Sequence, residues 1–165
     1  MQLPIQWPLG LTGEVRIRHS NAMAIFATED FEICTRLVQG EYYKYQNMFK
    51  ELPLHTVISR KELLDAMVRA KMCTAEKCPV KFEIAGSQLG LSIKDQTTDY
   101  HETVDLQENI SEELTIGFDA RLVIETLKAF DCDNVGISLQ SPKMPMIIEA
   151  EDSDFKTIVL PVAIK

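Results

Sequence analysis

Residues 116–139 read IGFDARLVIETLKAFDCDNVGISL, and two periodicities follow one another within this stretch. Asp119 is a residue type that often caps a helix N-terminus. It is followed by Val123, Ile124 and Leu127, which are apolar residues at helical spacing. Apolar residues next alternate in the manner of a half-buried strand, at Val135, Ile137 and Leu139. The pattern predicts a helix over residues 120–130 that is followed closely by a β-strand.

The same order of elements occurs sixty residues earlier in the chain, where Ser59 aligns with Asp119. Ser59 is a plausible N-cap, and Glu62 stands at the spacing of a capping box. We therefore predict a helix over residues 60–72. Its apolar stripe consists of Leu63, Leu64, Met67 and Ala70.

Alternating apolar segments complete both copies of this internal repeat. The first copy has segments 80–84, 89–93 and 103–106, with a turn at 85–88, and the second has 135–139, 146–148 and 157–160. Each copy is predicted to be a β-α-β-β-β unit. A partial copy at the start contributes three strands, over residues 14–17, 23–27 and 31–38. The expected fold class is α+β, with two helices on one face of antiparallel sheets.

This repeat predicts a domain organisation. Residues 1–52 form the C-terminal half of one domain, and residues 53–165 form a complete two-unit domain, with a linking loop at 42–53.

Composition restricts the class of protein. A net charge of −8 argues against a protein that coats nucleic acid over its whole surface, although a local basic stripe is compatible with it. The apolar runs are shorter than the roughly 20 residues of a membrane helix, and the first 13 residues make a poor signal peptide. We expect a soluble cytoplasmic protein. The four cysteines are expected to be reduced and mostly buried thiols.

No catalytic motif stands out. His19, His55 and His101 are isolated, and Cys73 and Cys78 have no second Cys pair or nearby His to complete a metal set. The sequence lacks a Gly-rich phosphate loop or a recognisable nucleophile–base pair. We expect neither enzymatic activity nor a cofactor or metal.

The outer faces of the two predicted helices carry cations. Two interpretations stay open: a solvated helix face, or a surface that contacts double-stranded DNA weakly and without sequence preference. The candidate phosphate-facing residues are Lys61, Arg69, Arg121 and Lys128.

Three segments, in order along the chain, resemble the bacterial DNA polymerase III beta subunit, the sliding clamp. They are RLVQGEYYKYQNMF at 36–49, the stretch at 116–139, and the ending TIVLPVAIK at 157–165. The first is similar to the end of the family's middle domain, and the other two to its last domain.

The resemblance implies a ring-forming DNA-clamp fold that tethers a polymerase to DNA and has no catalytic residues. It implies three kinds of partner: double-stranded DNA, other clamp subunits, and clamp-binding peptides of polymerases, clamp loaders and repair proteins. It also implies a peptide pocket made by Tyr43, Asn47, Met48, Cys78, Asp119, Leu122, Lys143, Pro145, Ile158, Val159, Leu160, Pro161, Val162, Ala163 and Ile164.

This sequence departs from the family pattern at several of these positions. Tyr43 replaces a usual Pro, Asn47 a common Arg, Cys78 a common aromatic residue and Leu122 a frequent Tyr. The family's first domain and the front of its middle domain have no counterpart here, so we expect that this chain alone does not close a ring in the family's way. The alternatives are a divergent clamp with a partial pocket and a structural remnant without independent activity.

Two segments look like clamp-binding motifs themselves. Residues 88–91 read QLGL, but Leu89 and Leu91 are predicted to be core residues of a strand. Residues 2–5 read QLPI and could dock into the pocket of a neighbouring molecule.

Overall fold

A computed structural model describes residues 14–41, 44–73, 78–94 and 98–164 of the chain. The chain divides into two compact units between Gln46 and Asn47. The domain bounds at 52 and 53 inferred from the repeat stay a prediction. The QLPI segment lies outside the described residues.

The first unit contains a three-stranded antiparallel sheet in the order β1-β2-β3. Its strands are β1 (Arg16–His19), β2 (Met23–Ala27) and β3 (Glu32–Arg36). Ala24 and Phe26, both on the central strand β2, are buried. The three strands predicted for the partial copy are therefore present, and a short 3₁₀ helix, Tyr45–Met48, follows them.

The second unit is built on a six-stranded antiparallel sheet in the order β5-β6-β4-β7-β8-β9. Its elements in chain order are β4 (Leu54–Ser59), α1 (Arg60–Cys73), β5 (Val80–Lys94), β6 (Asp99–Phe118), α2 (Ala120–Lys128), β7 (Asn134–Leu139), β8 (Met146–Ala150) and β9 (Lys156–Val159). The helices α1 and α2 pack against each other. The predicted α+β class with a helix pair is confirmed.

The two helices bury the stripes that their sequences predict. Leu63, Met67 and Ala70 of α1 are fully buried together with Ala66, while Leu64 is partly buried against the core. Val123, Ile124 and Leu127 of α2 are buried as expected. Each burial of this kind stabilises the fold by roughly 1.5–3 kcal/mol for a large aliphatic side chain.

The caps set where the helices begin and end. The backbone N–H of Glu62 donates to Ser59 Oγ at 3.4 Å, and that of Arg121 donates to Asp119 Oδ1 at 2.8 Å. The predicted end of α2 at residue 130 is wrong by two residues. Ala129 N–H instead donates to Thr126 O at 3.0 Å, which tightens the last turn and ends the helix.

The turn predicted at residues 85–88 is wrong. The chain does not reverse there, because β5 continues from Val80 to Lys94 and pairs with β6 along its length. The pairing register shifts on both sides of Gly86, which has a φ of +59°. A glycine in the left-handed region lets the strand bulge and bend without ending. The predicted strand 103–106 is likewise one part of the long β6.

The expectation of mostly buried cysteines is also wrong. Cys34 and Cys73 are exposed, and Cys78 and Cys132 are half-buried. Cys34 and Cys73 lie on a strand and at a helix end that turn these positions away from the core. Leu89 and Leu91 are buried, as the strand interpretation of QLGL predicts.

Candidate functional site

The site is built around the junction between β6 and α2, residues 117–119. Phe118 ends β6 inside the core, where it meets Phe82 of β5 edge to face with ring centroids 5.1 Å apart. Asp119 then leaves the strand in an extended conformation and caps α2. This anchored turn places Leu122 on the first turn of α2, with 42% of the side chain exposed.

The C-terminal tail, residues 160–164, reaches this junction from β9. Val162 N–H donates to the carbonyl oxygen of Gly117 at 2.8 Å. A Cβ on Gly117 would lie 2.7 Å from both Val162 O and Ile164 Cγ1, so the tail passes directly over the glycine. The tail is thus held against β6 by a backbone hydrogen bond and close packing.

Apolar side chains of the tail remain accessible. Leu160, Val162 and Ile164 are exposed to 58%, 40% and 41% respectively. Single exposed apolar residues are ordinary, but three at alternate positions on a segment fixed to the domain make a candidate binding surface.

Sheet pairing brings other predicted pocket residues toward the same region. Val80 pairs with Phe118, which places Cys78, two residues earlier, near the β6–α2 junction. Met146 pairs with Val159, so Pro145 and Leu160 flank the same end of the β8–β9 pair. Residues separated by more than 80 positions in sequence therefore lie at one end of the sheet.

The remaining predicted pocket residues are less closely tied to this end. Val159 is buried in the core and supports the tail by packing, while Ile158 and Pro161 are half-buried and Ala163 is exposed. Lys143 is exposed in the β7–β8 turn. Asn47 and Met48 lie in the 3₁₀ helix, exposed and half-buried, and Tyr43 is outside the described residues. The pocket assignment as a whole stays a prediction.

Sequence reasoning missed Gly117. An isolated glycine inside a strand, between Ile116 and Phe118, is a known sign of close backbone approach, and this signal was available. It does not reveal which segment approaches.

The cations on the helix faces differ in their surroundings. Arg69 forms a bidentate ion pair with Glu102, whose carboxylate also accepts a hydrogen bond from the Tyr100 hydroxyl. The hydrogen bond from Arg69 lowers the pKa of Glu102, against the opposing effect of partial burial. Arg121 faces Asp119 at 3.4 Å. Lys61 and Lys128 are exposed, as are both arginines.

The surface around Arg69 is acidic on balance. A cleft of about 260 Å³ beside it is lined by Glu62, Asp65, Glu102 and Asp105 among other residues. Phosphates are repelled by such a surface unless the cations outnumber the carboxylates locally.

A larger cleft, of about 620 Å³, is lined by the segment 49–52 and by strands β4, β7, β8 and β9. His55 and Ser138 lie on its wall with Nδ1 and Oγ 3.0 Å apart, and Glu149 Oε1 is 3.8 Å from the same Nδ1. A serine–histidine–acid relay needs the serine and the acid on different ring nitrogens. This arrangement places both at one nitrogen and does not form such a relay.

Metal clusters and membrane-spanning helices were sought within residues 14–41, 44–73, 78–94 and 98–164. No group of three or more His, Cys, Asp or Glu side chains in these ranges is placed to hold a metal ion. Nor is any helix within them long and apolar enough to cross a membrane.

Two helix-bearing repeats on one antiparallel sheet, with their helices side by side, are the arrangement expected of a DNA-clamp fold. The family pattern for the C-terminal domain of the DNA polymerase III beta subunit matches residues 50–163. The chain belongs to this family.

Relatives agree with this assignment. The beta sliding clamp of Streptococcus pneumoniae is 27% identical over 155 residues, which cover 90% of this chain and 41% of that protein. A DNA polymerase III beta subunit structure from Eubacterium rectale is 28% identical with a TM-score of 0.80, over 90% of this chain and 41% of that one. The structure of a Bartonella birtlesii sliding clamp bound to griselimycin is 21% identical, with a TM-score of 0.82, over 94% of this chain and 42% of that one. At this identity the likeness shows the fold alone. This chain spans about two fifths of the length of these relatives.

Proposed function

We propose that this chain is part of a replication sliding clamp and binds short clamp-binding peptides at its C-terminal tail. The observation that carries the proposal is the tail itself, which is anchored at Gly117 while Leu160, Val162 and Ile164 keep apolar surface exposed. Family membership through residues 50–163 supports it. In this role the protein is a non-enzymatic processivity factor.

The backbone of the tail suits an extended peptide. Val162 N–H donates to the carbonyl oxygen of Gly117, and the carbonyl oxygen of Val162 lies close to the same glycine. In an extended segment, successive residues direct their polar groups to opposite sides. In the proposed complex the peptide adds as a strand along Pro161 and Ala163, with its apolar side chains on the exposed tail residues.

The family's DNA contact is the second part of the proposal. Lys61 and Lys128 on the outer faces of α1 and α2 would contact phosphates without reading bases. Arg69 pairs with Glu102, and Arg121 pairs with Asp119, so these arginines contribute less to phosphate binding. Tethering of a polymerase would require a closed ring, completed by other clamp subunits.

A titration tests the peptide site. The isotope-labelled chain is titrated with a peptide of the Gln-Leu-x-Leu-Phe type, and amide shifts are followed by NMR. We expect shifts at residues 160–164 and around Asp119 and Leu122, with micromolar or weaker affinity, since Cys78 and Leu122 replace larger side chains of the family pattern. The control peptide has its two Leu and its Phe replaced by Ala. Saturable binding without shifts in these residues, or equal shifts with the control peptide, would refute the proposal.

A further inference from the structure

We infer that Gly117 is the positioning residue that sets the location of the C-terminal tail, and with it the tail side of the peptide site. Gly117 lies within β6, opposite Lys81 of β5. Its carbonyl oxygen accepts the hydrogen bond from Val162 N–H at 2.8 Å. The residue therefore joins β5, β6 and the tail.

Space, and not backbone conformation, is the reason that a glycine stands here. Among the described glycines, positive φ values occur at Gly40 and Gly86, and Gly117 is not one of them. A Cβ at Gly117 would meet Val162 O and Ile164 Cγ1 at 2.7 Å each, closer than real Cβ contacts. Ile164 could rotate, but Val162 O belongs to the backbone, so the tail itself would have to move.

The position of the tail matters because of what Gly117 adjoins. Two residues further on, Asp119 caps α2, and Leu122 lies on the first turn of that helix. A tail displaced from Gly117 loses its fixed distance to this turn, and the exposed side chains of Val162 and Ile164 move with it. This inference rests on the proposed peptide function, although the structural part can be measured separately.

Another buried sheet glycine, Gly136 on β7, supplies a matched control. A Cβ there would meet Glu149 Cγ and the His55 ring at 3.0 Å, both of them side-chain atoms that can shift. Gly136→Ala thus introduces the same methyl group into the same sheet, next to the large cleft instead of the tail.

The experiment compares Gly117→Ala with Gly136→Ala in three measurements: thermal unfolding, hydrogen exchange of the Val162 amide, and affinity for the Gln-Leu-x-Leu-Phe peptide. For Gly117→Ala we expect faster exchange at Val162 and about tenfold weaker peptide binding, the effect of losing one backbone hydrogen bond. Gly136→Ala is expected to change the unfolding temperature. It should leave the exchange rate of the Val162 amide and the peptide affinity at wild-type values.

The outcomes separate the inference from the proposed function. If the wild-type chain binds no peptide, the proposed function fails, and Val162 exchange alone decides the role of Gly117. Unchanged exchange at Val162 in Gly117→Ala overturns the inference, as does an equal loss of peptide affinity in both variants. If Gly117→Ala does not fold, Val162→Pro takes its place, because it deletes the N–H donor at an exposed position. Unchanged amide shifts at Gly117 and Phe118 in Val162→Pro would then overturn the inference, because these residues are distant in sequence and sense the tail only through the contact at Gly117.

Discussion

Replacement of Asp119 should destabilise the domain through loss of a helix cap. The side chain accepts a hydrogen bond from Arg121 N–H at 2.8 Å, and α2 is only nine residues long. A helix of this length depends on its cap and on tertiary packing. In Asp119→Ala the N–H group at the helix start has only water as a partner.

The expected loss is about 1 kcal/mol, the usual cost of replacing an Asp cap with Ala. For a domain of this size such a loss lowers the unfolding temperature by roughly 4 °C. The second contact, between Asp119 and the Arg121 guanidinium at 3.4 Å, is on the surface and contributes little. Thermal and urea unfolding followed by circular dichroism measure the change.

Two further variants show whether the cap is the cause. Asp119→Asn retains an oxygen acceptor without the charge and should remain within about 0.5 kcal/mol of wild type, because Asn caps as well as Asp. Glu125→Ala removes an exposed carboxylate from the same helix and should also be nearly neutral. Equal destabilisation by the Asn and Ala variants would refute the capping argument and indicate that the charge of Asp119 is responsible.

Three other predictions concern charge and reactivity. In a salt titration of DNA binding, Lys128→Ala should reduce the slope by about one, whereas Arg69→Met should change it less because Glu102 already pairs with the guanidinium. For acid unfolding, the Glu102 pKa is lowered in the folded state, chiefly by the hydrogen bond from Arg69. Its stabilising contribution is therefore present above the unfolded value of about 4.3 and is lost as the pH falls through the folded value. Glu102→Gln should flatten the pH dependence of stability in that acidic range. With a thiol reagent near pH 8, Cys73 should react at least about tenfold faster than Cys132, because the first is exposed and burial raises the pKa of the second.

Each of these three predictions has an outcome that would contradict it. An equal loss of salt slope in the lysine and arginine variants would contradict the pairing of Arg69. An unchanged acid limb in Glu102→Gln would show that other carboxylates dominate the acid response. Cys73→Ser should remove half of the fast thiol phase, since Cys34 is also exposed, and loss of the slow phase instead would contradict the burial of Cys132.

Local patterns predicted much of the fold. Both helices and their buried faces follow from apolar spacing, since a helix must turn one stripe toward the core wherever that core lies. The caps Ser59 and Asp119 follow from hydrogen bonds within four residues. The turn predicted at 85–88 failed because Gly and Ser are compatible with a turn and also with a bulge. Pairing with β6, which lies later in the chain, decides between the two.

The candidate site was less accessible to this reasoning. The resemblance selected the tail and Asp119 as pocket positions, but it did not include Gly117. The helix-face pattern made Arg69 a candidate for DNA contact, but it could not reveal the ion pair of this residue with Glu102, 33 positions away. Exposure of Cys34 and Cys73 likewise depends on which side of each element faces the core.

The sequence by itself determined the positions of the two helices, their apolar faces, the cap at Asp119 and the resemblance to the clamp family. Only the tertiary structure decided that Val162 meets Gly117, that β5 continues through Gly86, and that Glu102 engages Arg69. The physical reason is the separation in sequence over which each interaction acts. Propensity, periodicity and capping act between residues a few positions apart, whereas strand register and ion pairing join residues whose proximity exists only after the chain has folded.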